Sequence, residues 1–261
     1  MPFALNRGVR IHYETAGNGP VLVLHHGTMG SGPDWQEFGY VDGLKDLRRV
    51  VLIDARGHGK SDKPHDPAAY DLRLRAADVV AVLDDLGVKR ADFLGYSMGG
   101  WIGFGLARHF PERFNAFIIG GAHPYAENTQ AIRDRMPADP AAFAAGLEKT
   151  YGALLTPARR ARLLANDLVA LRALTQDRDD IADVLPTMKV PSLCFVGELD
   201  PRLAQARQAT SEMPNATFLS LPGCDHVGAT RRTDVILPRI RSFLLEVSGV
   251  SAGATGEPVS N

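Results

Sequence analysis

Cysteine is scarce in this chain: two in 261 residues, Cys194 inside an apolar run and Cys224 in a Gly-rich stretch. They make neither a disulfide framework nor a metal-ligand spacing, which leaves free thiols in a reducing compartment. Excess charge is missing too. The formal net charge is -1 and the pI about 6.7, so nothing in the bulk electrostatics favours nucleic acid or an anionic membrane surface, and a small molecule is the expected partner. No apolar run approaches the roughly 20 residues of a membrane span, and the opening Met-Pro-Phe-Ala-Leu-Asn-Arg lacks the basic segment and long apolar core of a signal peptide. A cytoplasmic protein is the expectation. Nothing matches a G-x-G-x-x-G after a strand, a P-loop or an H-E-x-x-H, so no organic cofactor or metal is implied. There is no internal repeat.

What is present fits one globular domain with a substantial core: 45% hydrophobic and 23% charged residues over 261 positions. Short apolar, β-branched runs recur at Val21 to His25, Val50 to Asp54, Asp92 to Gly95, Phe114 to Gly120, Ser192 to Gly197 and Thr217 to Leu221. Continuous rather than alternating hydrophobicity predicts strands covered on both faces, as in a parallel sheet. Between them, Leu72, Ala76, Val79, Val80, Leu83 and Leu86 keep helical spacing up to a stop at Gly87, and Met98 to Phe110 reads as a second helix before Pro111. Alternating strands and helices argue for a doubly wound α/β sheet. The alternating Leu5 to Thr15 segment around Gly8 predicts an antiparallel hairpin leading into it.

The alternation lapses between about His123 and Leu185, where Asp139-Pro140 and Thr156-Pro157 each read as a capping residue followed by proline at the first helical position. A helical insertion is expected there. The small, polar, aperiodic tail over about 249–261 is expected to be disordered, leaving 1–248 as the domain.

The strongest chemical signal is Gly95-Tyr96-Ser97-Met98-Gly99-Gly100, set between a strand and a helix pattern. A G-x-S-x-G nucleophile elbow requires that context: a tight turn lifts the serine hydroxyl clear of the strand, and the helix N-terminus points at the reacting centre. A serine hydroxyl is a weak nucleophile at neutral pH and needs a base within hydrogen-bond reach and a group that orients the base. His226, in Pro222-Gly223-Cys224-Asp225-His226, and Asp200, in Gly197-Glu198-Leu199-Asp200, each follow a strand pattern and supply the order Ser, Asp, His.

These motifs, with His25-His26-Gly27-Thr28 and Asp54-Ala55-Arg56-Gly57-His58-Gly59-Lys60-Ser61, resemble the α/β-hydrolase superfamily over nearly the whole chain. The likeness is to its small serine esterases, lactonases, perhydrolases and carbon-carbon bond hydrolases. It implies an α/β-hydrolase fold with a mostly parallel doubly wound sheet and a short helical cap over about 123–185. It also implies an oxyanion hole from the backbone N–H groups of Thr28 and Met98. With serine as nucleophile, it argues against the haloalkane dehalogenase and epoxide hydrolase branches. The activity implied is cleavage of a carboxylic ester of a small or medium-sized substrate through an acyl-enzyme. A lactonase or carbon-carbon bond hydrolase is the alternative within that class, and a small-molecule receptor with a retained triad the alternative outside it. The oligomeric state stays open. One departure is local: family members often carry a further proline a few residues beyond the acid, whereas Asp200-Pro201-Arg202-Leu203 reads as opening a helix at once.

Other residues carry more than one reading. Glu198 is a second carboxylate beside Asp200, and only the motif match favours Asp200. Asp225 reads as a solvated loop carboxylate. Asp54, Arg56 and His58 read as ties for the loop after their strand, while His25 either packs beneath the oxyanion loop or lines the pocket. Met29, Tyr96 and Trp101 are substrate-binding candidates, although they, Trp35 and Met98 serve equally as core. Cys224, two positions before His226, reads as a small packing residue.

Overall fold

The protein is described from a computed structural model covering residues 2–152 and 155–249. The N-terminal hairpin joins β1 (Phe3–Asn6) to β2 (Val9–Ala16), with Asn6 opposite Val9. Its two-residue turn, Arg7-Gly8, has positive φ at both positions (48° and 85°), the primed geometry that matches the right-handed twist of paired strands. The remaining strands are β3 (Val21–His25), β4 (Arg49–Ile53), β5 (Ala91–Tyr96), β6 (Phe114–Gly120), β7 (Ser192–Gly197) and β8 (Ala216–Leu221).

Together they form one eight-stranded sheet in the order β1-β2-β4-β3-β5-β6-β7-β8, antiparallel at β1/β2 and β2/β4 and parallel from β4 onward. Every residue of β3, β5 and β7 is buried, as the continuous apolar runs require. The expected runs differ from the strands by at most a residue or two at each end, where boundary assignment is itself soft.

Successive side chains go to opposite faces. Val23, Val51, Ile53, Phe93, Phe117 and Ile119 enter one core cluster, and Leu22, Leu24, Val50, Leu52, Leu94, Ile118 and Phe195 the other. The first cluster is closed by α3 (Leu72–Asp85) and α4 (Met98–His109) through Val79, Leu83, Ile102 and Leu106. The second is closed by α1 (Gly32–Glu37), α2 (Tyr40–Leu44) and α10 (Thr233–Val247) through Trp35, Leu44, Ile240 and Leu244. Each fully buried Leu, Ile, Val or Phe contributes about 1.5–3 kcal/mol, so this double layer is the main source of stability.

Among the described residues, four α-helices stand between β6 and β7: α5 (Gln130–Arg133), α6 (Pro140–Tyr151), α7 (Pro157–Leu164) and α8 (Leu168–Leu174). The two Pro-led starts are as expected. Asp139 accepts from the Ala141 and Ala142 N–H groups, and Thr156 Oγ1 from Arg159 N–H at 3.2 Å. The segment is tied to the sheet side by Arg162 to Asp34 (2.8 Å) and by Asn166 Nδ2 donating to the Met29 carbonyl (3.0 Å). α9 (Leu203–Ser211) follows β7. Residues 250–261, nearly all of the tail expected to be disordered, lie outside the described residues. No helix among the described residues is long and apolar enough to cross a membrane.

Candidate active site

The chain leaves β3 for β4 on one side and then crosses to β5 on the other, so the C-terminal ends of β3 and β5 meet at a switch point, where open α/β sheets bind ligands. β5 runs into α4 through Ser97, whose φ of 56° and ψ of -112° are rare for a residue with a side chain and cost on the order of 1–3 kcal/mol. The flanking glycines are demanded by contact. A Cβ at Gly95 would lie 2.2 Å from the Gly99 carbonyl oxygen, and one at Gly99 would lie 2.2 Å from that of His25. The β3 loop thus passes directly over the turn that presents the serine.

At that point three predicted residues converge from three loops. Ser97 Oγ donates to His226 Nε2 (2.9 Å), and His226 Nδ1 donates to Asp200 Oδ2 (2.5 Å). Asp200 is buried, and burial opposes its ionisation. The hydrogen bond and charge of His226, with Arg202 N–H donating to Oδ1 at 3.0 Å, outweigh that and hold the carboxyl below the ordinary aspartate range. The loops carrying acid and imidazole are laced together: Glu198 N–H donates to the Leu221 carbonyl (2.9 Å) and Leu199 N–H to that of Cys224 (2.8 Å). Glu198 itself is exposed and accepts from Gly223 N–H (3.1 Å), while Asp225 Oδ1 accepts from Gly228 N–H (2.6 Å); neither faces the imidazole through these bonds. After Asp200 a single turn, closed by Leu203 N–H to the Asp200 carbonyl (3.0 Å), precedes α9 rather than the helix opening at once.

The β3 loop is fixed from below by two imidazoles. His58 Nδ1 donates to the Arg56 carbonyl and its Nε2 accepts from Met29 N–H, both at 3.1 Å. His26 Nδ1 donates to the Gly27 carbonyl (2.8 Å) and its Nε2 accepts from Ala55 N–H (3.0 Å). Each ring has one donating and one accepting nitrogen, which is the neutral form. Burial, above all, pushes both pKa values down, and that of His25 as well. His25 packs beneath the loop against Phe93 and is 1% exposed.

Asp54 accepts from Gly32 and Lys60 N–H (2.8 and 2.9 Å), and Arg56 pairs with Asp78 (2.5 Å) and donates to the Ala69 carbonyl. Both tie down loops. The Thr28 N–H has no protein acceptor among the described residues, and that of Met98, at the first turn of α4, has none within the helix.

Thr28, Met98 and Trp101 line a cavity of about 530 Å³ under the helical segment, with Arg75, Leu174 and Arg178 further along its wall. Met29 and Tyr96, two of the substrate-binding candidates, do not line it. Met29 sits in the loop with φ 68°. Tyr96 lies buried behind the imidazole, its ring centroid 5.3 Å from that of His226 and its hydroxyl donating to the His226 carbonyl (2.6 Å). Its place in G-x-S-x-G marks it as near the serine, but no local pattern foretells this partner 130 residues on. Among the described residues no group of three or more His, Cys, Asp or Glu is placed to hold a metal ion, and both cysteines are free and buried.

The family model for the alpha/beta hydrolase fold matches residues 20–182. A 3-oxoadipate enol-lactonase of Acinetobacter baylyi is 31% identical over 211 residues, which is 74% of this chain and 77% of that protein. A cis-3-alkyl-4-alkyloxetan-2-one decarboxylase of Shewanella oneidensis is 36% identical over a shorter stretch, 45% of this chain and 37% of its own length. Among solved structures, the esterase RhEst1 from Rhodococcus sp. ECU1013 superposes with a TM-score of 0.83 at 26% identity, covering 94% of this chain and 98% of that one. The enol-lactonase from Burkholderia xenovorans LB400 gives 0.81 at 25% identity, covering 93% and 99%. A serine, histidine and aspartate joined in series at the switch point of such a sheet agree with these likenesses: the chain belongs to the α/β-hydrolase family.

Proposed function

We propose that this chain is a serine hydrolase that cleaves a carboxylic ester of a small or medium-sized substrate through an acyl-enzyme. The observation that carries the reading is the unbroken hydrogen-bond series from Asp200 through His226 to Ser97 Oγ. In this reading Ser97 Oγ attacks the carbonyl while His226 Nε2 takes its proton, and Asp200 keeps Nδ1 protonated and balances the imidazolium. The Thr28 and Met98 N–H groups receive the oxyanion, each such donor being worth about 100-fold to 1,000-fold in rate. The imidazolium returns its proton to the leaving alcohol, and water, activated by the same imidazole, releases the acid. Residues 1–248 act as one domain, with 123–185 as a cap closing the cavity over the nucleophile, and the protein works in the cytoplasm without metal or organic cofactor.

Lactone opening is the second reading, favoured by the 31% identity to an enol-lactonase over most of both chains. A lactone is a cyclic ester, so the same steps apply and the leaving alcohol stays attached to the acyl group. A fluorophosphonate, which reacts efficiently only with an activated hydroxyl, tests both. It should label the protein at Ser97 and fail to label Ser97→Ala. Labelling that survives the substitution, or none in the intact protein, rejects the reading; negligible turnover of esters and lactones with ligand-dependent partner binding marks a receptor.

A further inference from the structure

α3 presents a charge where its amphipathic pattern calls for an apolar side chain. Arg75 stands one turn after Leu72, on the face that buries Ala76 and Val79, and is itself 5% exposed. Its Nε and Nη2 have no hydrogen-bond partner, and among the described residues no carboxylate forms an ion pair with it. Asp78, the acid nearest in the helix, is taken by Arg56 and Asn6. Beyond the charge of Asp78, felt without a hydrogen bond, a ring face helps: the guanidinium carbon lies 5.4 Å from the Trp101 ring centroid, and that ring already carries Arg178 at 4.8 Å. Burial first, then the like charges of Arg178 and Arg56, push the Arg75 pKa down to about 9.

A buried guanidinium without an anion is an uncompensated charge, which proteins rarely keep unless something else supplies the counter-charge. Arg75 lines the same cavity as Thr28 and Met98. The acids that line it are engaged elsewhere or solvated: Asp71 accepts from Arg73 N–H (2.9 Å), Asp177 from Thr129 and Arg133 (2.9 Å each), and Asp179 is exposed. Arg178 is committed to Glu127 at 2.8 Å.

We propose that Arg75 receives a carboxylate of the substrate, making this a site for esters or lactones that carry a free carboxylate besides the bond to be cleaved. A guanidinium is a planar fork of donors, the geometry that grips a carboxylate by both oxygens. Trp101 holds the plane of the fork, and Arg178 reinforces the positive field. The assignment rests on the serine-hydrolase reading for where the reacting bond lies.

The test compares the mono-para-nitrophenyl ester of adipic acid with the same ester whose distal acid is a primary amide. The intact protein should favour the acid in kcat/KM on the order of 10- to 100-fold, the range of a hydrogen bond to a charged group. Arg75→Met should bring that ratio towards one, and Arg75→Lys should keep part of it. Arg75→Met should also raise the melting temperature, because it removes an unpaired buried charge. In a second arm, free adipate should stabilise Ser97→Ala against heat and lose that effect when Arg75→Met is added. A ratio near one in the intact protein, a ratio untouched by Arg75→Met, or a lowered melting temperature with both esters impaired equally overturns the assignment. Should neither ester turn over and Ser97 resist fluorophosphonate, the hydrolase reading falls, and adipate binding alone decides Arg75.

Discussion

The Tyr96 hydroxyl donates to the main-chain carbonyl of His226 at 2.6 Å, so the residue before Ser97 holds the backbone of the imidazole from behind. Tyr96 is buried, and burial chiefly, with the charge of Asp200 next, pushes its pKa well above its ordinary value, which keeps the phenol a donor. Tyr96→Phe removes the donor and strands a carbonyl, a cost of about 1–3 kcal/mol. The expected result is a fall in kcat of about 10-fold with KM changed less than about 2-fold, since the imidazole loses its aim but the cavity is untouched. Steady-state kinetics on one activated ester measure the split; an unchanged kcat would show that His226 is held by its other neighbours.

The two carboxylates beyond β7 separate cleanly by experiment. Asp200 Oδ2 faces His226 Nδ1, whereas Glu198 accepts from Gly223 at the surface. Asp200→Asn turns an acceptor into a donor and favours the wrong imidazole tautomer; in the serine-protease triad the equivalent change lowers the rate about 10,000-fold, and a loss of that order is expected here. Glu198→Gln should stay within about 3-fold of the parent, as expected of a solvated group. Turnover of both variants, with circular dichroism as the control for folding, decides. A collapse in Glu198→Gln beside a healthy Asp200→Asn would exchange their roles.

Strain at Ser97 makes a third expectation. Its φ is 56°, which glycine adopts without penalty. Ser97→Gly should therefore raise stability by about 1 kcal/mol, or roughly 2–4 °C in Tm for a domain of this size, while abolishing activity. Ser97→Ala removes the hydroxyl but keeps the strain, so its Tm should stay near the parent's. Calorimetry of the pair reads the difference, and equal melting temperatures would mean the turn is unstrained.

Stability should depend on pH through the imidazoles beneath the β3 loop. His25, His26 and His58 have folded pKa values below the ordinary 6.5, with burial the largest cause. Below about pH 6.5 the unfolded chain therefore binds more protons than the folded one, and stability rises with pH across that window. Each group contributes up to about 1.4 kcal/mol per pH unit until its folded pKa is reached. Urea midpoints should drop between about pH 7 and pH 5, above the range where carboxylates titrate. A midpoint flat over that interval would mean the three rings are charged in the folded protein.

Much of the architecture is legible in the chain. The apolar runs anticipate β3 to β8 because a strand covered on both faces has no polar position to offer, and Asp139-Pro140 and Thr156-Pro157 mark helix starts because capping is a local bond. The α3 stripe is less legible. Leu72, Val80 and Leu86 are only half-buried, whereas Arg75 and Asp78 are buried, since hydrophobic spacing sees no charge that a distant partner or a cavity accommodates. Tyr96 and Met29 read from the sequence equally as substrate contacts and as core. Their hydrogen bonds to His226 and His58 hold the backbone around the site, which no spacing within the motif encodes.

The sequence by itself determined the fold class and the alternation of strand and helix, and it offered Ser97 and His226 with a carboxylate between them in chain order, because periodicity, capping and tight-turn chemistry act over a few residues. Only the tertiary structure decided which carboxylate faces the imidazole, that His26 and His58 hold the β3 loop as neutral rings, and that Arg75 is buried without an anion at the cavity wall. Those outcomes depend on which groups meet across the sheet and how much water is excluded between them, and distance and dielectric are set by packing rather than by neighbours along the chain.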